Sequence, residues 1–317
     1  MTRLLHMSVL DQSPIAEGGT QGDALRNSID LAQFAERLGY RRYWVAEHHG
    51  TPALASSSPE VLIGPIAAAT SRIHVGSGGI MLPHYSPLKV AENFRMLNGL
   101  YPGRIDLGIG RAAGTSPRIS LALQRDRRQA PLNDFPEQLK ELRGYLKAGP
   151  EVWLLGSSGD SAEWAADFGL PYVFADFINR EGAAIARGYR ERSSNPYTGV
   201  AVWAIAADTD EEAQALSSSM RMMMTMLFRG QLIEVPTVER AQAFLAAEGM
   251  PPELLPIGRR IIVGTPERVK AAIGVVAAEY RADEVFVVNI MHDHQARKRS
   301  YQLIAEAFGI IGASVIQ

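Results

Sequence analysis

Residues 43–49 read Tyr43-Trp44-Val45-Ala46-Glu47-His48-His49. An apolar run ends in three titratable side chains, the pattern of a buried strand that delivers acid–base groups to its carboxyl end. Side chains alternate along a strand, so Glu47 and His49 are expected on one face and His48 on the other. Two readings of the histidines stay open here: hydrogen-bonded strand-end residues without chemistry, or groups lining a pocket. The surrounding rhythm decides what this strand belongs to.

Upstream, residues 4–10 form an apolar run closed by Asp11-Gln12-Ser13-Pro14. A helical pattern then carries Leu31, Phe34, Ala35 and Leu38 before Gly39 stops it. Downstream, Ser58 and Pro59 open a second helix as N-cap and first helical residue. Further strands are predicted at 73–76, 104–111, 152–155, 172–175, 201–206 and 284–289, with helices between them and a last helix to about Phe308. No composition break marks a linker. About eight strand–helix units imply a parallel sheet covered by helices and closed on itself. The expected fold is an α/β TIM (β/α)8 barrel, one domain over residues 1–317; a doubly wound open sheet is the alternative. Residues 207–283 interrupt the rhythm as an insertion between the late strands, with residues 261–264 as an extra strand. Five of the eleven methionines fall between Met220 and Met226, which reads either as adaptable core filler or as a plastic substrate wall.

With 317 residues, 46% of them hydrophobic, the chain can bury a large core. A net charge of −2 gives no reason to expect nucleic acid or an anionic membrane as partner. The absence of cysteine excludes disulfides, thiolate catalysis and cysteine-ligated metal. No run approaches the roughly 18 apolar residues of a membrane span, and the first residues lack the apolar core of a signal peptide. A cytoplasmic location is expected. The cluster Arg125-Asp126-Arg127-Arg128 reads as a solvated face.

In a barrel of this kind the active site forms on the face where the strands end. There the sequence places Asp11 and Gln12, then Glu47, His48 and His49, Gly78 and Gly79, Gly110 and Arg111. Ser157 and Ser158, Asp176, and finally His292 and His294 complete the rim. Gly156-Ser157-Ser158-Gly159-Asp160-Ser161 lies between a strand and a helix, where free N–H groups, hydroxyls and the helix dipole suit a phosphate. Arg111 adds a charge-assisted contact. Asp160 is a contrary charge unless it faces solvent or caps the helix, and an ordinary helix-capping turn is the competing reading. No metal is expected: a strand splays the adjacent His48 and His49 apart, and His292-Asp293-His294 follows its strand. No Gly-x-Ser-x-Gly follows a strand, which removes a serine-hydrolase reading.

These residues resemble the flavin-dependent luciferase-like monooxygenase family over essentially the whole chain, in the branch related to the alkanal monooxygenase chains. The segments that carry the resemblance are Ala46-Glu47-His48-His49, residues 56–64, Val75-Gly76-Ser77-Gly78-Gly79-Ile80-Met81-Leu82-Pro83 and residues 102–111. Leu155-Gly156-Ser157-Ser158, residues 165–171 and Gly264-Thr265-Pro266-Glu267 complete them. The resemblance implies a barrel with a late insertion, and reduced FMN (FMNH2) as cofactor, with F420 in some branches. It implies that His48 is catalytic and assists the chemistry of a C4a-peroxide formed from FMNH2 and O2. The substrate is then an apolar, aromatic or carbonyl-bearing organic molecule, oxygenated by Baeyer–Villiger oxidation or hydroxylation. Gly78 and Gly79 fall where a non-proline cis peptide sits beneath the flavin ring. Arg111, Ser157, Ser158, Gly159 and Ser161 fall on the phosphate-binding positions.

A separate flavin reductase and a homodimer built on the helices around 59–70 and 87–100 are further implications. The alternatives are an F420-dependent hydride-transfer enzyme and a non-catalytic flavin-binding subunit. Two departures stand out: Gly110 replaces the cysteine of the alkanal monooxygenase catalytic chain, and the stretch between Leu146 and Val152 is short.

Overall fold

The computed structural model describes residues 5–111, 117–124, 126, 128, 133–147, 149–251 and 259–311. Arg125 and Arg127 of the basic cluster, Leu4 and Ala148 lie outside them. Nine strands form: β1 (His6–Asp11), β2 (Arg42–Val45), β3 (His74–Met81), β4 (Ile105–Gly110), β5 (Glu151–Gly156), β6 (Tyr172–Ala175), β7 (Thr198–Ala206), β8 (Ile261–Gly264) and β9 (Glu284–Val288). The first half of the chain supplies helices α1 (Gln21–Leu38), α2 (Pro59–Ala69), α3 (Pro87–Leu100), α4 (Pro117–Leu123) and α5 (Phe135–Tyr145). The second half adds α6 (Gly159–Asp167), α7 (Ala183–Arg192), α8 (Asp210–Phe228), α9 (Val238–Ala247), α10 (Pro266–Tyr280) and α11 (His294–Phe308).

Every strand pairing is parallel. Strands β1 to β6 pair in sequence, β6 pairs β7, β7 pairs β9, and β9 returns to β1, so eight strands close a TIM barrel. The ninth, β8, adds to the carboxyl half of β7, pairing Trp203–Ala206 with residues 261–264. It is the extra strand expected inside 207–283, where α8, α9 and α10 also lie. The barrel strands are buried on both faces, which is why they read as unbroken apolar runs rather than alternating ones. Local signals set the helices. Thr20 and Asp23 form a reciprocal capping box at the start of α1, and Gly39 ends it in the left-handed region at φ 91°.

The methionine-rich stretch lies in α8. Met220, Met223 and Met224 pack into the core cluster that also holds Trp44, Trp153 and Trp203. This is the core-filler reading, since none of the five borders the main cavity described below.

Beneath that core, at the amino ends of the strands, the barrel is plugged by charge. Arg42 Nη1 donates to Asp106 Oδ2 at 2.7 Å, and its Nε lies 3.3 Å from Glu284 Oε2. Its third contact is Glu151 Oε2 at 3.6 Å, and the Trp153 ring lies 4.5 Å from the guanidinium carbon. Trp44 Nε1 donates to Asp106 at 2.9 Å and the Tyr197 hydroxyl to Glu284 at 2.8 Å. Arg42, Asp106 and Glu284 are all buried. Sequence periodicity does not disclose this plug, because its members are far apart in the chain and only barrel closure brings them together.

Candidate active site

At the opposite end, the carboxyl ends of the strands surround a cavity of about 310 Å³. Its floor comes from Gly78 and Gly79 in β3 and Gly110 at the end of β4; the bond between Gly78 and Gly79 is cis. Here β3 and β4 approach closely. A Cβ on Gly79 would lie 2.8 Å from the Gly108 carbonyl, and one on Gly108 would lie 2.1 Å from Ser77 O. The ladder shifts register between Ser77 and Ile80 at the same place. Glycine is required on both strands because backbone, not a movable side chain, occupies the space.

The opening stretch differs from expectation. β2 ends at Val45, and Ala46 to His49 continue outside the ladder. The Ala46 N–H still donates to Asp11 O, but the His48 N–H donates to Ser56 O, which draws the chain away from β3. The strict alternation expected of a strand does not carry over: Ala46, Glu47 and His48 all border the cavity, and His49 does not. Glu47 Oε1 accepts from His49 Nε2 at 2.6 Å and from the Tyr85 hydroxyl at 2.7 Å, while its Oε2 accepts from the Met81 N–H at 2.9 Å. Glu47 thus ties the segment to the end of β3, and its carboxylate is spent on that. His48 lines the cavity.

His48 carries no ion-pair partner among the described residues, and its Nδ1 is sealed from solvent without a hydrogen bond. Burial, with His49 beside it, pushes its pKa down to about 4. The ring is neutral at pH 7. An orphaned N–H costs more than an orphaned lone pair, so the proton belongs on Nε2, leaving Nδ1 as the bare nitrogen.

The phosphate turn forms between β5 and α6. The helix begins at Gly159 rather than Ala162, so Asp160 and Ser161 lie in its first turn. Ser158 occupies the N-cap without a side-chain cap bond, and no helical carbonyl serves the first-turn N–H groups. Ser161 lines the cavity, but its hydroxyl donates to Ser158 O at 2.8 Å, with the Tyr172 hydroxyl 2.9 Å away. Only its N–H is left for an anion. Asn179 Nδ2, which the sequence reading missed, donates to Ser157 O and holds the turn. Arg111 lies 5.0 Å over the Trp164 ring, with Nη1 3.1 Å from Asp160 Oδ2. Asp160 is therefore neither a cap nor an idle surface charge; it orients Arg111.

Five of the expected rim residues are elsewhere: His49 pairs with Glu47 as described above, and four more turn to other partners. Asp11 is buried in an ion pair with Arg297 and accepts from the Tyr43 hydroxyl at 2.6 Å. Asp176 accepts from the Tyr280 hydroxyl at 3.0 Å and faces Arg260 at 3.3 Å. His292 donates to Glu17 O at 3.2 Å, and His294 to Asp30 at 2.8 Å. These four pair with helices or loops outside the cavity, and His294 is already the first residue of α11. Gln12 does line the cavity, together with apolar Leu10, Leu155, Val173, Phe177 and Ala201. The sequence reading did not foresee that apolar wall.

A sequence profile of the luciferase-like monooxygenase family matches residues 5–283. The chain belongs to this family. It is 38% identical to a luciferase-like monooxygenase of Escherichia coli strain K12, over 95% of this chain and 96% of that one. It is 36% identical to an N-acetyl-S-alkylcysteine monooxygenase of Bacillus subtilis, over 96% and 98%. The solved structure of apo-MsnO8 superimposes with a TM-score of 0.90 at 40% identity, covering 96% of this chain and 99% of that chain.

Two more distant structures share the fold. One is the oxygenating constituent of 3,6-diketocamphane monooxygenase of Pseudomonas putida in complex with FMN, at TM-score 0.74 and 18% identity over 98% of this chain and 100% of that one. The other is an F420-dependent secondary alcohol dehydrogenase, at 0.63 and 15% over 97% and 99%. As a luciferase-like monooxygenase, the chain is an oxygenating oxidoreductase. Among the described residues, no helix is long and apolar enough to cross a membrane.

The neutral His48 of this luciferase-like monooxygenase has a consequence for stability. Its folded pKa of about 4 lies below the ordinary 6.5, so only the unfolded chain takes up the proton between those values. The contribution of His48 is complete above pH 6.5 and is lost as pH falls towards 4. Between pH 8 and pH 5 the wild type should lose about 2 kcal/mol more unfolding free energy than His48→Gln. Equal losses in urea titrations of the two proteins would remove this account.

Proposed function

We propose that the chain is a flavin-dependent monooxygenase that uses reduced FMN and O2 to oxygenate an apolar, aromatic or carbonyl-bearing organic substrate, by Baeyer–Villiger oxidation or hydroxylation. One observation carries this reading: a single cavity joins a glycine floor, a hydroxyl-rich helix start and a neutral imidazole at the carboxyl ends of the strands. The donor set fits FMN. The Ser157 and Ser158 hydroxyls, the first-turn N–H groups of Gly159, Asp160 and Ser161, and Arg111 would hold the phosphate. Gly78 and Gly79 present bare backbone to the ring. When bound, reduced flavin supplies the activation of O2.

The chain's own residues do the rest. The apolar wall of Leu10, Leu155, Val173 and Phe177 excludes water and orients the organic part of the substrate. His48 holds a proton on Nε2 at the cavity and offers it as a hydrogen bond without adding a charge. Glu47 keeps the His48 segment and the end of β3 in register through its three hydrogen bonds.

Titrating the purified protein with FMN, FMNH2 and F420, then following oxygen uptake with the bound cofactor, tests the reading. Binding of F420 alone, without oxygen uptake, would replace it with a hydride-transfer enzyme. Arg111→Ala should weaken FMN binding by about 1–3 kcal/mol, the value of a charged hydrogen bond; unchanged affinity by fluorescence titration would reject its phosphate role.

The reading includes a separate flavin reductase in the cytoplasm as the source of reduced cofactor. It also includes a homodimer through α2 and α3, supported by Val61 (71% exposed), Met96 (68%) and Leu100 (68%) on those helices. A monomer in sedimentation at micromolar concentration would remove the dimer.

A further inference from the structure

Arg259 lies one side chain beyond the cavity wall. Its Nη1 is 3.5 Å from the carbonyl of Phe177, which lines the cavity. Its guanidinium carbon sits 5.8 Å from the Trp203 ring centre and 5.5 Å from that of Phe228. The Phe177 and Trp203 rings are themselves 5.3 Å apart, so the cation closes an aromatic corner beside the cavity wall. Ile178, also on the cavity wall, and Phe228 are exposed there.

No carboxylate among the described residues reaches this half-buried cation, and burial alone acts on it, lowering its pKa. Several other sheltered arginines are met by oxygens of the chain. Arg42, Arg190, Arg260 and Arg297 face carboxylates, and Arg104 donates to four oxygens, among them the Thr70 hydroxyl and the Ile73 carbonyl. A second polar group in the same corner is unmet: Trp203 is 5% exposed, and its Nε1–H has no acceptor among the described residues. A desolvated cation and an orphaned donor together call for an anionic acceptor that the described residues do not supply.

We propose that the substrate is an organic acid whose carboxylate docks on Arg259 and the Trp203 Nε1–H, with its apolar part directed down the wall of Phe177, Val173 and Leu10. This rests on the monooxygenase reading above and adds to it the class of substrate. A planar guanidinium matches a carboxylate in two parallel hydrogen bonds, and the flanking rings exclude the water that would weaken them. The anchor stands beside the cavity wall, so it selects the acid without entering the reaction.

Equilibrium binding tests the proposal, with octanoate and N-acetylmethionine as probes against their methyl esters. Each is titrated calorimetrically into wild type, Arg259→Gln and Arg259→Lys, both flavin-free and saturated with FMN. The acids should bind the wild type about tenfold tighter than the esters, or more. Arg259→Gln should abolish that preference, Arg259→Lys should keep part of it, and FMN affinity should be the same in all three proteins. Equal binding of acid and ester, a preference that survives Arg259→Gln, or no binding of either probe would overturn it. So would an Arg259→Gln effect confined to F420, whose own carboxylates would then be the anion held. If FMN fails to bind the wild type while the acid preference appears, the flavin reading falls and the acid site stands.

Discussion

Arg42→Met is expected to lower the free energy of unfolding by about 3–5 kcal/mol, the cost of removing one member of a buried ion pair. Methionine fills the volume of the arginine stem, so the loss reports charge rather than a cavity. Asp106 and Glu284 would remain buried with the partner of both gone. Trp44 would still donate to Asp106, with His74 Nδ1 3.5 Å from its other oxygen, and Tyr197 and Ser8 would still donate to Glu284, but none of them replaces the fixed charge of the guanidinium. Urea unfolding of wild type, Arg42→Met, Asp106→Asn and the double variant gives the coupling directly. The double variant should recover part of the single loss. A single-variant cost under about 1 kcal/mol would show that the plug is not held by charge.

Gly108→Ala is expected to cost about 3 kcal/mol or more, at the upper end of overpacking effects, because the new methyl meets backbone. Its Cβ would lie 2.1 Å from Ser77 O and 2.9 Å from Leu155 Cδ1. The leucine can turn away; Ser77 O cannot, since the Ser77 hydroxyl donates to Gly108 O at 2.8 Å and the strands are paired there. Relief requires β3 and β4 to separate under Gly79, so flavin affinity should fall together with stability. Gly188→Ala is the control. It lies inside α7 with nothing within 4 Å of the added methyl, and should stabilise by about 0.5–1 kcal/mol. A Gly108 variant as stable as wild type would mean the strands are free to spread.

Much of this molecule is legible along the chain, and what is not has a common cause. Parallel strands buried on both faces announce themselves as apolar runs, so the barrel and the extra strand at residues 261–264 follow from local pattern, whereas Glu47, expected to face away from His48, borders the same cavity. The cavity likewise brings together Gly78, Gly79, Arg111, Ser157, Ser158 and His48, which the motifs single out. Asp11, Asp176, His292 and His294 are different. They stand at or beyond the strand ends, but they pair with α1, α10, α11 or the loop carrying Glu17, partners distant in the chain that no local pattern announces. Arg42 and Arg259 carry no local signal at all. Their meaning depends on which residues, distant along the chain, fold against them.

β7 deserves a different emphasis from its role as a wall. All nine of its residues are buried, and it pairs with β6, β8 and β9. A strand with three partners cannot open until each of them has let go. Its amides should therefore be the slowest in the chain to exchange with deuterium, and their exchange should follow global unfolding. Because β8 belongs to the late insertion and pairs with β7, that strand should melt with the barrel rather than before it.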